Sequence, residues 1–557
     1  MKKTTIILFA FLAFAVSLRA ADGISERTLL STDRTVYVAG DRVWMSAFCM
    51  DAQTGRLSTF SSVAYVELHS AEGMVQTAKI ALAAGRGAGV LTLPKNLPTG
   101  NYRLIAYTAL NKNEDGFDWG ACGRILSVLN PATSAKVDGG VEIVDEAGYA
   151  HPARIPQAGG LDVKLSGVPS RSGVLPLTLD YAGASPATVS VSVWHDDGLA
   201  PPCNFDIAAQ LGALKPGNAF TSKVIPEYEG EIIYGKVVGA DSTTVEGSYG
   251  FIAAPGDKSD VYSASVEADG SVVFFTNNIY GDKDLVCQIE KREGLPGYLE
   301  LSNPFVNAPV GEGIPSLQLC KAYSDRIMSR GAASQIEHLF DADTLYSSLP
   351  IRENALFGPE VVKYRLDDYT RFPTMDEVFV EIIPELRSRK LEGATDIRVR
   401  LNDIYRTVRF VSGMSLMMVD GVPVFDQKRI VDYDPILVES VNVYPYEYFI
   451  GVRAYDGVAN FVTYKKNAPS LEFDRNVRIV DFKGCSMPVA FTARGLGSDY
   501  PDYRQTVLWQ PLVDLQANAK AELEAALPAY GGEFRVVVDG VAADGTPLHA
   551  ETSFTLD

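Results

Sequence analysis

Apolar and polar residues alternate in short runs along most of the chain, and clusters of Gly, Pro, Asn and Asp separate these runs. Residues 36–38, 42–48, 63–68 and 102–107 are examples that are rich in Val, Ile, Tyr and other strand-forming residues. Alternation of this kind is typical of strands that bury one face, and closely spaced turns favour antiparallel sandwiches. The pattern therefore predicts a mainly β protein with tandem β-sandwich domains.

Two stretches depart from the β pattern. Residues 317–339 carry apolar side chains at roughly helical spacing with Gly331 as the one glycine, which predicts one or two helices. Farther along, Thr374 and Glu377 have the spacing of a capping box at the start of another helix. The apolar face of that helix would consist of Val378, Phe379, Ile382 and Ile383.

The first twenty residues have the features of an export signal. Two lysines precede an apolar run at 6–16, and small residues precede Ala21. The run is shorter than the roughly 20 apolar residues that a membrane-spanning helix needs. We therefore predict a cleaved signal peptide over 1–20 and an exported protein. The expected location is the periplasm or the periplasmic face of the outer membrane, with the cell surface as the alternative.

Composition and charge narrow the class of partner. The 557 residues carry a formal net charge of −19, whereas binding to nucleic acid requires a surface rich in Lys and Arg. The six cysteines are widely spaced and form no C-x-x-C pair, so neither a zinc site nor a disulfide scaffold is predicted. We expect no nucleic-acid partner, and membrane association only through other proteins.

Motifs in the first half of the chain resemble known domains. Residues 36–44 (VYVAGDRVW) and 97–108 (LPTGNYRLIAYT) resemble a macroglobulin-type sandwich of the version found in large envelope proteins of Bacteroidota. Residues 225–238 (IPEYEGEIIYGKVV) resemble the opening of a regulatory sandwich common in the same proteins. The Cys-Gly-Glu-Gln thioester of protease-trapping macroglobulins is absent from the sequence. The resemblance therefore implies macroglobulin-like or immunoglobulin-like sandwiches without a covalent trap.

Three motifs in the second half occur in the order typical of another family. Residues 419–423 (VDGVP), 439–443 (ESVNV) and 453–458 (RAYDGV) resemble the plug domain of TonB-dependent outer-membrane receptors, a small α+β domain. Roughly 90 residues follow Lys466. A receptor barrel of about 22 strands, each of about ten residues, needs well over 200. The resemblance implies a plug-like module without its own barrel, which would dock to a membrane barrel, transporter or assembly partner.

No motif predicts catalysis. None of the five histidines belongs to an H-E-x-x-H motif, and no G-x-S-x-G elbow or P-loop occurs. A solvated strand end explains the run from His195 to Asp197 more simply than metal or acid–base chemistry does. Asp367-Asp368 and the pair Asp432 and Asp434 lack the other ligands of a calcium loop. We expect a non-enzymatic protein without cofactor or metal.

The segment from 444 to 455 is the candidate partner-binding region, together with the turn at Gly421. Aromatic side chains bury a large area at few rotatable bonds, so they are favoured at interfaces, but they are equally ordinary core residues. The five candidate partner-binding residues are Tyr444, Tyr446, Tyr448, Phe449 and Tyr455.

These segments define a domain order and three candidate functions. The predicted regions are a signal peptide (1–20), a macroglobulin-type sandwich (24–131), a second sandwich (135–222), a regulatory-type sandwich (223–308), a helical linker (309–358), a plug-like domain (359–468) and a terminal sandwich (469–557). The leading function is an outer-membrane accessory or scaffold protein that docks to a barrel or envelope complex. The alternatives are a surface adhesin or non-covalent protease inhibitor, and a carbohydrate-handling or peptide-handling enzyme with an unrecognised site.

Overall fold

The structure is a computed structural model. It describes residues 23–119, 123–137, 140–151, 154–199, 206–213, 219–221, 223–239, 245, 247–256, 260–290, 297–307, 310, 313–339, 346–351, 357, 361–402, 408–410, 413–491 and 501–557. The predicted signal peptide, 1–20, lies outside these residues. Within them, no helix has the length and apolar character needed to cross a membrane.

The described chain is mainly β, as the alternating pattern predicts. Its first strands are β1 (Glu26–Thr32), β2 (Val36–Val38), β3 (Arg42–Asp51), β4 (Val63–Ser70), β5 (Gly73–Ala81), β6 (Arg86–Thr92), β7 (Gly100–Tyr107), β8 (Glu114–Asp115), β9 (Arg124–Leu129), β10 (Val141–Val144), β11 (Leu161–Leu165), β12 (Val174–Tyr181), β13 (Ala187–His195) and β14 (Ala219–Phe220). Then follow β15 (Ile232–Val238), β16 (Tyr249–Ala254), β17 (Asp260–Ser265), β18 (Ser271–Phe275), β19 (Asp282–Ile289) and β20 (Tyr298–Leu301).

The second half adds shorter strands and long hairpins. These strands are β21 (Leu317–Cys320), β22 (Tyr346–Ser348), β23 (Val362–Arg365), β24 (Leu386–Leu391), β25 (Ala394–Asn402), β26 (Val408–Phe410), β27 (Leu416–Val419), β28 (Val422–Pro423), β29 (Val438–Ile450), β30 (Arg453–Thr463), β31 (Arg478–Lys483), β32 (Val489–Phe491), β33 (Thr506–Leu515), β34 (Ala519–Ala526), β35 (Gly532–Ala542) and β36 (Pro547–Leu556). The α-helices of the described residues are α1 (Ile207–Ala213), α2 (Ser324–Leu339), α3 (Met375–Glu381) and α4 (Lys428–Val431).

The two helical predictions have different outcomes. Helix α3 begins as predicted, because the Thr374 side chain accepts a bond from the Glu377 N–H (3.4 Å) and the Glu377 carboxylate accepts one from the Thr374 N–H (3.2 Å). Its predicted apolar face is buried. The prediction for 317–339 is wrong at its start, since Leu317–Cys320 forms β21 and pairs in parallel with β10. A distant strand supplies that pairing, which local periodicity does not reveal.

Two compact units divide the chain, and the first comprises Met1–Gly230, Phe305–Pro350 and Cys485–Asp557. Its first sandwich packs the sheet β1-β3-β6 on the five-stranded sheet β2-β9-β7-β4-β5. The inward residues of these strands form its core, with Met45, Val66 and Leu104 fully buried. This sandwich lies within the region predicted as 24–131.

A second sandwich in the same unit is built from two distant parts of the sequence. Its sheets are β11-β12-β34 and β33-β13-β35-β36. Leu177 pairs with Leu523, and Val191 lies between Gln510 and Val538. Strands assigned from the sequence to two domains, 135–222 and 469–557, therefore share one core. Short strands with regular turns look alike wherever their partners lie, so the sequence pattern does not distinguish one sandwich from two.

The second unit comprises Glu231–Pro304 and Ile351–Gly484. Its sandwich consists of β18-β15-β20 and β17-β16-β19-β31, so β31 from the predicted terminal region completes the predicted regulatory-type domain. Its α+β part contains the mixed sheet β23-β29-β30-β27-β28, the sheet β24-β25-β26 and helices α3 and α4. Val378, Val399 and Phe461 are fully buried in the core of this part.

Because both halves of the second sandwich share a core, a substitution that destabilises one half should also destabilise the other. Phe534→Ala removes a fully buried ring and should destabilise the sandwich by about 3–5 kcal/mol. Hydrogen exchange should then accelerate to a similar extent in 161–195 and in 506–556, while 63–107 stays protected. Val174→Ala, at a largely exposed position of β12, is the matched control. Unchanged exchange in 161–195 would contradict the shared core.

Candidate functional site

The predicted aromatic segment is a β-hairpin rather than a loop. Strands β29 and β30 pair up to the tip, where Tyr448 lies opposite Tyr455 and Ile450 lies opposite Arg453. A register shift interrupts the pairing between Tyr444 and Glu447. Aromatic residues at every second position fit a strand with two unlike faces, so each candidate residue must be judged by the face it occupies.

Three of the five candidate residues belong to the inner side of this hairpin. The rings of Tyr444 and Tyr448 are half-buried with centroids 6.0 Å apart, and Phe357 packs 4.9 Å from the first and 5.3 Å from the second. Tyr455 is 1% exposed, and burial raises the pKa of its hydroxyl. Tyr455 therefore belongs to the core and not to the exposed surface of the hairpin. Tyr446 is half-buried.

The outer side of the hairpin end presents apolar groups to solvent. Phe449 is 67% exposed and Val452, at the tip, is 63% exposed. Ala454 lies opposite Phe449, while Glu447 lies opposite Asp456, two residue pairs farther from the tip. These five residues form what we call the tip surface. Phe449 is the candidate residue that the structure places in reach of a partner with most of its ring free.

Side chains from the neighbouring sandwich of the same unit fix the hairpin end. The Ser263 hydroxyl donates to the Ile450 carbonyl oxygen. Arg453 pairs with Glu290 at 2.8 Å and lies 5.1 Å from the Tyr249 ring centroid. Gly451 has φ +57°, and a Cβ there would lie 2.2 Å from the Ser263 carbonyl oxygen. The tip surface is thus held in one conformation before any partner binds.

The turn at Gly421 has a structural role. Asp420 and Gly421 have φ of +48° and +81°, the conformation of a tight two-residue hairpin turn. The buried Asp420 carboxylate accepts from the Thr463 N–H (2.7 Å), the Thr463 hydroxyl (2.6 Å) and the Ala468 N–H (2.8 Å). Residues 420–424 are buried, so the prediction that this turn faces a partner is wrong.

The run from His195 to Asp197 borders a cleft of about 540 Å³, with Arg154 and Arg326 also among its lining residues. Its two carboxylates are engaged in ion pairs, Asp196 with Arg535 and Asp197 with Arg330, each at 2.6 Å. The His195 ring packs on Tyr530 and Phe534 at centroid distances of 5.2 and 5.3 Å. Burial lowers the pKa of this imidazole. The run is thus not the solvated strand end that the sequence predicts, since its side chains are packed and paired.

Three residues of the remaining acidic pairs have local partners as well. Asp367 accepts from Arg371 and Tyr464, Asp432 pairs with Lys428, and Asp434 accepts from the Ile436 N–H at 3.0 Å. Across the part of the chain that the structure describes, no group of three His, Cys, Asp or Glu side chains could hold a metal ion.

Sequence reasoning missed the residues that define the tip surface. Val452 carries no signal of its own, because single exposed apolar residues are common. Ser263, Glu290 and Phe357 lie far from the hairpin in sequence and are joined to it by tertiary contacts alone. The opposition of Glu447 and Asp456 follows from the hairpin register, which the aromatic spacing does not reveal.

No protein-family model and no curated protein matches the sequence. Among solved structures, trypsin-activated α2-macroglobulin of Escherichia coli is similar over 96% of this chain and 42% of its own, with 10% identity and a TM-score of 0.23. Salmonella α2-macroglobulin reacted with methylamine is similar over 96% of this chain and 39% of its own, with 9% identity and a TM-score of 0.23. The Escherichia coli adhesin FdeC is similar over 51% of this chain and 65% of its own, with 12% identity and a TM-score of 0.15. The chain spans less than half of either macroglobulin, and similarities of this size carry no argument about function.

Removal of the Asp420 carboxylate should destabilise the α+β part of the second unit. Asp420→Ala leaves two buried N–H groups and one hydroxyl without an acceptor, so the free energy of unfolding should fall by about 3 kcal/mol or more. Thr463→Val removes the hydroxyl alone and should cost less. In a double-mutant cycle followed by urea denaturation, the two substitutions should couple by about 1 kcal/mol. Additive effects would contradict a stabilising bond between the Asp420 carboxylate and the Thr463 hydroxyl.

The His195 ring should titrate below its ordinary pKa of 6.5. Because the folded-state pKa is lowered, the neutral ring stabilises the fold above about pH 6.5, and this contribution is lost as the pH falls through the folded-state value. An NMR titration of the histidine side chains tests the direction. His195→Phe should reduce the loss of stability on acidification. A midpoint above 6.5 would instead favour an acid–base role in the cleft.

Proposed function

We propose that this protein is an exported, non-enzymatic component of the cell envelope that docks to another protein through the tip surface. One observation carries the proposal, namely that the hairpin end presents Phe449 and Val452 to solvent while its other side is fixed in a core. Rigid, exposed aromatic groups are typical anchors of protein interfaces, since they lose little conformational entropy on binding.

The charges of the tip surface specify the chemistry of the partner. Glu447 and Asp456 lie directly opposite each other, and like charges in that arrangement destabilise a hairpin. Neither carboxylate makes an ion pair with any residue that the structure describes. A partner with an apolar socket rimmed by Lys or Arg would cover Phe449 and Val452 and relieve this repulsion.

The sequence supports a partner in the outer membrane. Residues 359–468 resemble a receptor plug, and the predicted signal peptide would deliver the chain to the periplasm. The sandwiches then serve as scaffold and further contact surface. Asp196 and Asp197, two carboxylates of the His195 cleft, are engaged in ion pairs, which favours a binding protein over a hidden enzyme.

Affinity capture from detergent-solubilised envelopes tests the docking surface. The tagged full-length protein should recover an outer-membrane barrel protein, identified by mass spectrometry. Phe449→Ala with Val452→Ala should reduce that recovery by roughly thirtyfold, as expected when two anchors contribute about 2 kcal/mol together. Phe275→Ala, which truncates a ring 65% exposed on β18 of the same unit, is the matched control. Equal recovery by the double variant would exclude the tip surface.

The charge complementarity has a separate test. Glu447→Gln with Asp456→Asn should weaken capture and make it less sensitive to salt, because the partner's cations lose their acceptors. The same variant should be slightly more stable when unbound, since the cross-strand repulsion is gone. Capture that is unchanged at low and high salt would contradict a basic rim on the partner.

A further inference from the structure

One face of the first sandwich is polar, points away from the core and is nevertheless buried. Ala64, Val66 and Leu68 of β4 point into the core, so Tyr65, Glu67 and His69 point outward. Glu67 and His69 are both 0% exposed. The outer face of a sandwich sheet is normally solvated, so a further part of the chain must cover these residues.

Part of the cover is a segment of irregular structure in the same unit, which we call the strap; Trp119 packs on Tyr107, and Glu227 accepts from the Tyr65 hydroxyl. The described residues of the strap are 305–307, 310 and 313–315. Phe305 packs edge-on against Tyr65 at 5.8 Å between ring centroids. The Lys79 ammonium lies 5.8 Å from the centroid of the Phe305 ring. The strap then follows β7 in reverse, from Tyr107 past Arg103 to Asn101.

The sheet holds the strap through main-chain atoms. A Glu67 carboxylate oxygen accepts from the Val306 N–H at 2.8 Å and the Asn307 N–H at 3.2 Å. Arg103 donates to the carbonyl oxygens of residues 310 and 313 at 2.9 and 3.0 Å, and the Asn101 amide donates to that of residue 315 at 3.0 Å. Each of these five bonds involves a main-chain atom of the strap, and Asn307 and Gly313 have φ of +49° and +72°, which favours Asn or Gly at those two positions.

The side chains that hold the strap are themselves fixed by the sandwich. Glu67 accepts from the Tyr107 hydroxyl at 2.5 Å and is bonded to His69 Nε2 at 2.7 Å. Burial alone raises the pKa of Glu67, but bonds from His69, Tyr107 and the Asn307 N–H outweigh it, so the pKa lies below its usual value. Asn101 accepts from the Ser127 hydroxyl at 2.7 Å. The acceptors and donors are thus preorganised for the main-chain atoms of the strap.

We infer that this face is a peptide-binding groove that reads the main chain, and that the strap is its intramolecular ligand. The strap contributes no strand to either sheet of the sandwich, so its departure breaks no ladder and leaves the core intact. The ligand class is a proline-containing segment, since residues 303–316 include Pro304, Pro309 and Pro315. Proline lowers the conformational entropy that a free chain loses when it is held in one conformation.

The test releases the strap without altering the groove. Val306→Pro removes one main-chain donor to Glu67 while every groove residue stays in place. In the full-length variant, amide exchange of the strap should rise at least tenfold while β4 and β7 remain protected. Asn307→Gly is the matched control, because it keeps its N–H donor and suits the φ of +49° at that position.

A synthetic peptide spanning 303–316, labelled for fluorescence anisotropy, then probes the vacated groove. It should bind the Val306→Pro protein and not the wild type, whose groove is occupied. Glu67→Gln in the Val306→Pro background should weaken binding at least tenfold, because an amide is a poorer acceptor than a carboxylate. A peptide that itself carries proline at position 306 should also bind at least tenfold more weakly.

Five outcomes would overturn the inference. Unchanged strap exchange in the Val306→Pro protein would mean that these bonds do not hold the strap. Equal release by Asn307→Gly would mean that the loss is not specific to the donor. Exchange in β4 or β7 that rises together with the strap would mean that the groove does not stand alone. A released strap without peptide binding, or equal binding of the proline-bearing peptide, would exclude main-chain recognition.

Discussion

The pairing of β13 is the constraint on which the rest of the structure depends. This strand is hydrogen-bonded on one side to β33 and on the other to β35, so its sheet exists only when the last part of the chain returns to it. The residues between β13 and β33 must form one long excursion that includes the whole second unit. Loop-closure entropy grows slowly with length, so this topology costs little stability, but its non-local pairings should make folding slow.

The same constraint explains which parts of the fold the sequence predicts. The strands Leu161–Leu165 and Ser271–Phe275 and the cap at Thr374 are predicted with their observed bounds, because alternation, turns and caps are local signals. Pairing depends on residues far away. Residues 317–320 are therefore predicted as helix although β10 makes them a strand, and one sandwich is predicted as two.

In the candidate site, too, local signals are predicted from the sequence and the results of distant contacts are not. The density of aromatic residues identifies the hairpin from sequence, yet Tyr448 and Phe449 are neighbours with opposite environments. Their difference arises from the pairing of β29 with β30 and from Phe357, which packs against Tyr448. Tyr455, equally aromatic, is buried by residues of the adjacent sandwich in the same unit. Spacing along the chain locates such a site, but tertiary packing decides which of its rings are free.

Polar residues on strands and turns have a role that the alternating pattern conceals. The pattern assigns Glu67 to solvent and Asp420 to a turn, but each carboxylate accepts main-chain N–H groups from a segment distant in sequence. A buried carboxylate is costly unless such donors surround it, and segments outside the sheets need acceptors for their own N–H groups. The main-chain N–H groups supply the donors that the carboxylate needs, and the carboxylate supplies the acceptors that they need. A chain with long excursions can therefore attach its connecting segments to finished sandwiches through outward-facing side chains, without adding strands to their sheets.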